Sequence, residues 1–183
     1  MENNLIKKLV NEIKLFRKAP KEYIWVYTYP KDQKVEIGEY NPRVKKQGQD
    51  LIDEIKKKLP ELKIHFLGSV ALEIPGQKDI DIFIECLPKN FHNVIPELNK
   101  IIGQPVKKRE RFVEWVFEKN DIPVELLLID PTWQKFLNKL SNFETLKKNR
   151  QAYTEFKIKN IGKSMRGYER KKYEFFYTEL NFK

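Results

Sequence analysis

The chain is predicted to fold as an α+β protein, with a mixed β-sheet in an α/β core and helices around it. Three observations predict this. Between residues 42 and 129, helix-period segments alternate with short apolar runs of strand length, the pattern of an α/β core. The last two runs, 111–118 and 122–129, are separated only by Lys119-Asn120-Asp121, which makes them an antiparallel hairpin and the sheet a mixed one. From Pro131 onward the pattern is helical to the end.

Residues 2–17 place Ile6, Leu9, Val10, Ile13 and Phe16 on one stripe and are predicted to form an amphipathic helix. Residues 23–29 are aromatic and β-branched, and read as a strand. Pro30-Lys31-Asp32-Gln33 is a turn and 34–38 a short returning strand. A helix and hairpin packed on the main sheet is thus expected over residues 1–33. Pro42 opens a helix carrying Val44, Leu51, Ile52 and Ile55, which Pro60 ends. A buried strand follows at 62–67, a second central strand at 79–86, and a helix at 88–102 closed by Gly103. The core is expected to span 34–130. Residues 131–183 form a C-terminal helical layer punctuated by Asn160-Ile161-Gly162, all three parts making one compact unit.

At 183 residues, 40% hydrophobic and 34% charged, the chain can bury a core beneath a charged surface. No apolar run approaches membrane-spanning length, so no membrane partner is expected. Met1-Glu2-Asn3-Asn4 lacks the basic start and apolar block of a signal peptide. The single cysteine, Cys86, fits a reducing compartment, so a cytoplasmic location is expected, and its place after an apolar strand suits a buried thiol rather than a nucleophile. The net charge of +10 is uneven. Residues 131–183 hold 13 Lys and Arg against 5 Glu, leaving only +2 for the remainder. That bias suits an anionic partner, either nucleotide phosphates or RNA, as well as a plain solvated face.

Chemistry concentrates in Gly68-Ser69-Val70-Ala71-Leu72-Glu73-Ile74-Pro75-Gly76-Gln77-Lys78-Asp79-Ile80-Asp81-Ile82-Phe83-Ile84. Asp79 and Asp81, at i and i+2 on a strand, point to one face and repel each other unless a cation lies between them. Oxygen-only ligands of this kind suit Mg²⁺ or Mn²⁺. The Gly68-Ser69 turn offers unhindered N–H groups and a hydroxyl for phosphate oxygens. A phosphate grip beside a carboxylate pair is the core of a phosphoryl- or nucleotidyl-transfer site. There is no Gly-rich loop ending in Gly-Lys-Ser/Thr, which excludes a P-loop kinase. His65 and His92 have no partner at zinc-ligand spacing.

These residues resemble the DNA polymerase β-like nucleotidyltransferase superfamily, whose hallmark is Gly-Gly/Ser, about nine to thirteen residues, then Asp-apolar-Asp/Glu-apolar. Here nine residues, Val70 through Lys78, separate Ser69 from Asp79. Within the superfamily the likeness is to the GrpB-like proteins. It extends to Val35-Glu36-Ile37-Gly38-Glu39-Tyr40-Asn41-Pro42-Arg43 and to Met165-Arg166-Gly167-Tyr168-Glu169-Arg170-Lys171-Lys172-Tyr173-Glu174-Phe175-Phe176, and covers about residues 34–178. The resemblance implies a nucleotidyltransferase-type sheet. It also implies Mg²⁺ or Mn²⁺ as cofactor, a nucleoside triphosphate such as ATP as substrate, and transfer of the nucleoside monophosphate to a hydroxyl. The acceptor stays open among RNA ends, proteins and small molecules.

Such a site needs a third acid. Glu125, within the apolar run Pro123-Val124-Glu125-Leu126-Leu127-Leu128-Ile129, is the candidate, because an acid there is costly to bury without a shared metal. Glu114 is the runner-up, and the family-typical residue is Asp. The implied roles are Asp79, Asp81 and Glu125 as catalytic metal ligands, and Gly68 and Ser69 as the phosphate grip. Lys78, Arg166 and Arg170 are further nucleotide contacts, with Lys163 and Lys171 beside the two arginines. Tyr168 and Tyr173 interleave with the basic residues of that helix, where stacking on a base and core packing both remain open. Two alternatives stand beside catalysis: a non-catalytic nucleotide- or RNA-binding protein on the same scaffold, and a protein–protein module using the N-terminal extension.

Overall fold

The computed structural model describes residues 26–182, together with Val10, Ile13 and Ile24. The helix expected at 2–17 lies otherwise outside the described residues. The chain divides into two compact units, Ile37–Arg150 and Met1–Glu36 with Gln151–Lys183.

The first unit is built on a five-stranded sheet in the order β1-β2-β5-β4-β3. The strands are β1 Lys63–Leu67, β2 Ile80–Glu85, β3 Lys107–Lys108, β4 Phe112–Lys119 and β5 Ile122–Ile129. β2 and β5 run parallel and every other neighbouring pair antiparallel, so the sheet is mixed. The short edge strand β3 has no counterpart among the expected elements. Helix α1, Pro42–Lys58, starts as its sequence dictates: Pro42 stands in its first turn and the Asn41 side chain accepts from the Arg43 N–H at 3.0 Å. A single turn, α2 Gly68–Ala71, follows β1. Helix α3, Phe91–Ile102, is preceded by a 3-10 turn at Pro88–Asn90, so the expected 88–102 helix begins tighter than predicted. Gly103 closes it with φ of +85°, the left-handed conformation that favours glycine.

Alternation sorts the strands into two faces. Ile80, Ile82, Ile84, Val124, Leu126, Leu128, Val113 and Trp115 pack with Val44, Leu51, Ile52 and Ile55 of α1 and with Val94 and Leu98 of α3. The opposite face carries Leu67, Phe83 and Ile129. They pack with Phe136 of helix α4, Gln134–Lys148, and with half-buried Phe112, Leu127, Trp133, Leu140 and Phe143. Asp130 is buried where β5 ends. It accepts from the Thr132 N–H at 2.9 Å and hydroxyl at 2.7 Å, and from Arg111 Nη1 at 3.1 Å, fixing the turn that enters α4.

In the second unit, helix α6, Met165–Glu174, is capped by the Ser164 hydroxyl, which accepts from the Gly167 N–H. The strand expected at 23–29 is, over its described residues Val26–Thr28, a 3-10 turn. The cause lies in its carbonyls. Arg166 donates from Nε to the Tyr29 oxygen at 2.9 Å and from Nη2 to the Tyr27 oxygen at 2.6 Å, occupying acceptors that a partner strand would use. The returning strand expected at 34–38 reduces to isolated bridges, Lys34 with Ser164 and, in the sheet-bearing unit, Gly38 with Gly76. The helical stretch is also broken at Asn149, where α4 ends and α5, Arg150–Lys159, begins. Tyr153 and Phe156 of α5 stack with Phe175 beyond α6 at ring-centroid distances of 6.1 and 4.8 Å.

Candidate active site

The parallel pairing of β2 with β5 decides where the acids fall. Asp81 stands in register with Glu125 on one side and with Leu67, the last residue of β1, on the other. Registered residues on strands about 4.8 Å apart share a face, so Asp81 and Glu125 leave the sheet on the same side from adjacent strands. Glu114 is in register with Leu127, further along the sheet, and pairs with Lys107 at 3.7 Å. Glu125, not Glu114, is therefore the strand neighbour of Asp81. Asp79 directly precedes β2 and, like Asp81 and Glu125, is half-buried.

Gly68 completes the corner. Its φ is +75°, and a β-carbon there would overlap Asp81 Oδ2 and lie 3.0 Å from Asp81 Cγ. The Asp81 carboxylate thus lies against the backbone of the Gly68-Ser69 turn. The Ser69 carbonyl accepts from the Ile74 N–H at 3.1 Å, which curls the following loop back on itself. Gly76 and Gly38 exchange both N–H groups at 3.0 and 2.9 Å and pin the loop further on. Lys45 holds Glu73 at 2.6 Å, and Arg150 Nη2 donates to the Glu73 carbonyl at 2.9 Å. Lys78 is exposed, with its side chain running across Gly38.

Burial pushes the Glu125 carboxyl above its ordinary value. The Lys139 ammonium opposes that shift, while the charges of Glu114 and Asp79 add to it. Lys139, on α4, also sits 4.1 Å from the centroid of the Phe83 ring, two residues beyond Asp81 on the same face. Sequence reasoning did not single out Lys139. Its signal was its place three residues after Phe136 and one before Leu140, at the margin of the apolar stripe that packs α4 on the sheet.

Because folding raises the Glu125 carboxyl above its ordinary value, the native state binds more protons than the unfolded one between the two, and stability falls as pH rises through that window. Without divalent cations, Glu125→Gln is expected to melt higher than the parent at neutral pH. The gap should close below about pH 4, where both states are protonated. Calorimetric melts in chelator across this range check the sign.

The remaining candidates are placed as follows. Arg166 is held by the Tyr27 and Tyr29 carbonyls within its own unit, and Arg170 is half-buried on α6. Lys163 donates to Asn160 Oδ1 at 2.6 Å and Lys171 pairs with Glu174 at 2.7 Å. Tyr168 is buried, against Phe156, and Tyr173 stacks on Tyr177. His65 contacts Glu85 at 2.7 Å, and His92 is exposed. The Cys86 thiol is buried and burial pushes it up, away from thiolate chemistry. Among the described residues no group of three or more His, Cys, Asp or Glu is arranged to hold a metal ion, and no helix is long and apolar enough to cross a membrane.

The sequence model of the GrpB protein family matches residues 34–181. The chain belongs to the GrpB family. No curated protein matches its sequence. Two solved structures similar to this GrpB-family chain are of Cid1. One, described for the structural plasticity behind an RNA terminal uridylyl transferase activity, is 11% identical and covers 66% of this chain and 38% of its own, with a TM-score of 0.43. The other, a Cid1 poly(U) polymerase with MgGTP bound, is 11% identical and covers 74% of this chain and 43% of its own, with a TM-score of 0.44. The chain spans about two fifths of the length of those proteins.

Proposed function

We propose that this GrpB-family chain is a nucleotidyltransferase that moves a nucleoside monophosphate from a nucleoside triphosphate, ATP foremost, to a hydroxyl acceptor and releases pyrophosphate. The observation that carries the reading is the registered pair Asp81 and Glu125 beside the Gly68 turn. Two half-buried acids side by side cost stability, and a shared cation offsets that cost. Mg²⁺ is commonly held by one or two carboxylates, with phosphate oxygens and water completing its shell. Asp81 and Glu125, with Asp79 beside them, fit it on those terms. When bound, Mg²⁺ or Mn²⁺ supplies charge neutralisation at the triphosphate and activation of the acceptor hydroxyl.

The chain's own groups do the rest. The Gly68 and Ser69 N–H groups and the Ser69 hydroxyl grip phosphate oxygens next to the acids. The acceptor oxygen attacks the α-phosphorus in line as the bond to pyrophosphate breaks, and its proton passes to Glu125. Lys139 and Lys78 counter the charge that builds on the departing pyrophosphate.

Incubation with each of four α-labelled triphosphates, Mg²⁺ and cell extract tests the proposal. Transfer of label to an extract component supports it, and no transfer with any of the four overturns it. Triphosphate binding without transfer leaves a nucleotide-binding protein on the same scaffold. Within this reading, Lys139→Gln is expected to raise the KM for triphosphate roughly tenfold, the scale of one charge-assisted hydrogen bond. It should also move the acidic limb of the pH–rate profile to higher pH, since the cation that favours the ionised Glu125 is gone. Steady-state kinetics across pH reads both.

A further inference from the structure

The sheet face that carries Asp81 and Glu125 continues into a second feature that the chemistry above does not use. Phe112 of β4 is in register with Ile129 of β5, four residues beyond Glu125 on the same face, about 13 Å along the strand. Its ring lies parallel to that of Trp133, with an interplanar angle of 4° and centroids 5.9 Å apart. Cations ride on both rings: Lys107 Nζ is 5.6 Å from the Phe112 centroid and Lys135 Nζ 5.9 Å from that of Trp133. Lys108 and Arg109 follow Lys107 at the β3 edge and are exposed. The rings are half-buried rather than sealed in the core. They are also held firmly. Buried Asp130 ties Arg111, one residue before Phe112, to Thr132, one residue before Trp133. Between this platform and the two acids the face is covered by α4, with Phe83 buried beneath Phe136 and Lys139 at the helix's exposed margin.

We infer that this platform and its basic margin bind single-stranded nucleic acid, the exposed edges of Phe112 and Trp133 stacking on bases while Lys107, Lys108, Arg109 and Lys135 meet the phosphates. Flat rings at the margin of a core take bases of any sequence, and flanking cations set a strong salt dependence, the combination that distinguishes single-strand binding from simple attraction to a polyanion. A duplex hides its base faces and gains only the charge. The inference rests on the proposed function and deepens it by naming the acceptor as the terminal hydroxyl of a single strand held at this margin of the sheet-bearing unit.

The test is fluorescence anisotropy with labelled twelve-residue oligo(U) and oligo(dT), and with a duplex of the same length, over a NaCl series without triphosphate or divalent cation. Tighter binding of at least one single strand than of the duplex is expected. Trp133→Leu should weaken that binding at least about fivefold and leave the slope of log affinity against log salt unchanged, whereas Trp133→Phe retains most of it. Lys108→Gln with Arg109→Gln, two exposed changes that spare the core, should reduce the slope by about two. Equal binding of duplex and single strand, or loss with the basic changes and none with Trp133→Leu, overturns the inference. Because the assay contains no triphosphate, its failure leaves nucleotidyl transfer standing with another acceptor. Failure of label transfer leaves the binding result untouched.

Discussion

Asp79→Asn combined with Asp81→Asn is expected to reduce nucleotide incorporation by at least about a thousandfold while the metal-free protein melts at the same temperature as the parent or higher. Both halves follow from the same placement. Asp81 stands beside Glu125 in the β2–β5 register, and the Asp79 charge is among those that push the Glu125 carboxyl up. Amides of equal size remove that repulsion without opening a cavity, so the apo fold gains. Amides also lose the charge that would hold a divalent cation, so stabilisation by Mg²⁺ with triphosphate, which acts by mass action on the native state, should vanish. Thermal melts with and without Mg²⁺ and triphosphate, alongside the incorporation assay, read the two halves separately. A metal–triphosphate shift that survives both changes would falsify the assignment of these acids.

Trp115→Ala is expected to destabilise the sheet-bearing unit by about 3–5 kcal/mol, a fifth or more of what a typical domain possesses. Trp115 is fully buried in the centre of β4, on the face covered by α1 and α3. Its indole N–H donates to Asn99 Oδ1 at 3.2 Å and to the Gly103 carbonyl at 3.0 Å, so truncation leaves a void and two acceptors without their donor. Trp115→Phe keeps most of the packing and loses only the donor, and should cost about 1 kcal/mol for that bond plus a smaller packing penalty. Denaturant titration followed by far-UV circular dichroism gives both values. A loss under about 1 kcal/mol for the alanine variant would contradict the packing described here.

Much of this was legible in the amino-acid order because local and long-range signals agree. The apolar runs that became β1, β2, β4 and β5 have strand length. Asn41-Pro42 and Gly103 are start and stop signals whose geometry the structure reproduces. The order of the strands in space was not legible. That Glu125 rather than Glu114 neighbours Asp81 depends on which residue of β5 lies opposite which residue of β2, a register set by packing across the whole sheet. The strand read at 23–29 failed for the opposite reason: its aromatic and β-branched residues favour extension, yet Arg166, far along the chain, takes the carbonyls of Tyr27 and Tyr29. Lys139 escaped notice because a lysine at the edge of a helical stripe looks like solvated surface until the ring beneath it is known.

The contact between Gly68 and Asp81 acts as a one-sided stop. Toward β1 the carboxylate meets backbone with no space to spare, so it can move only away from the turn. A cation held by Asp81 would find the carboxylate backed by this turn, which serves as a fixed reference from which the phosphate-to-carboxylate spacing is measured. That spacing is set by an absent atom, the β-carbon that residue 68 lacks. No rearrangement of side chains can retune it, and any sequence that drifts at position 68 must find its compensation in the backbone of β1 or lose the ruler altogether.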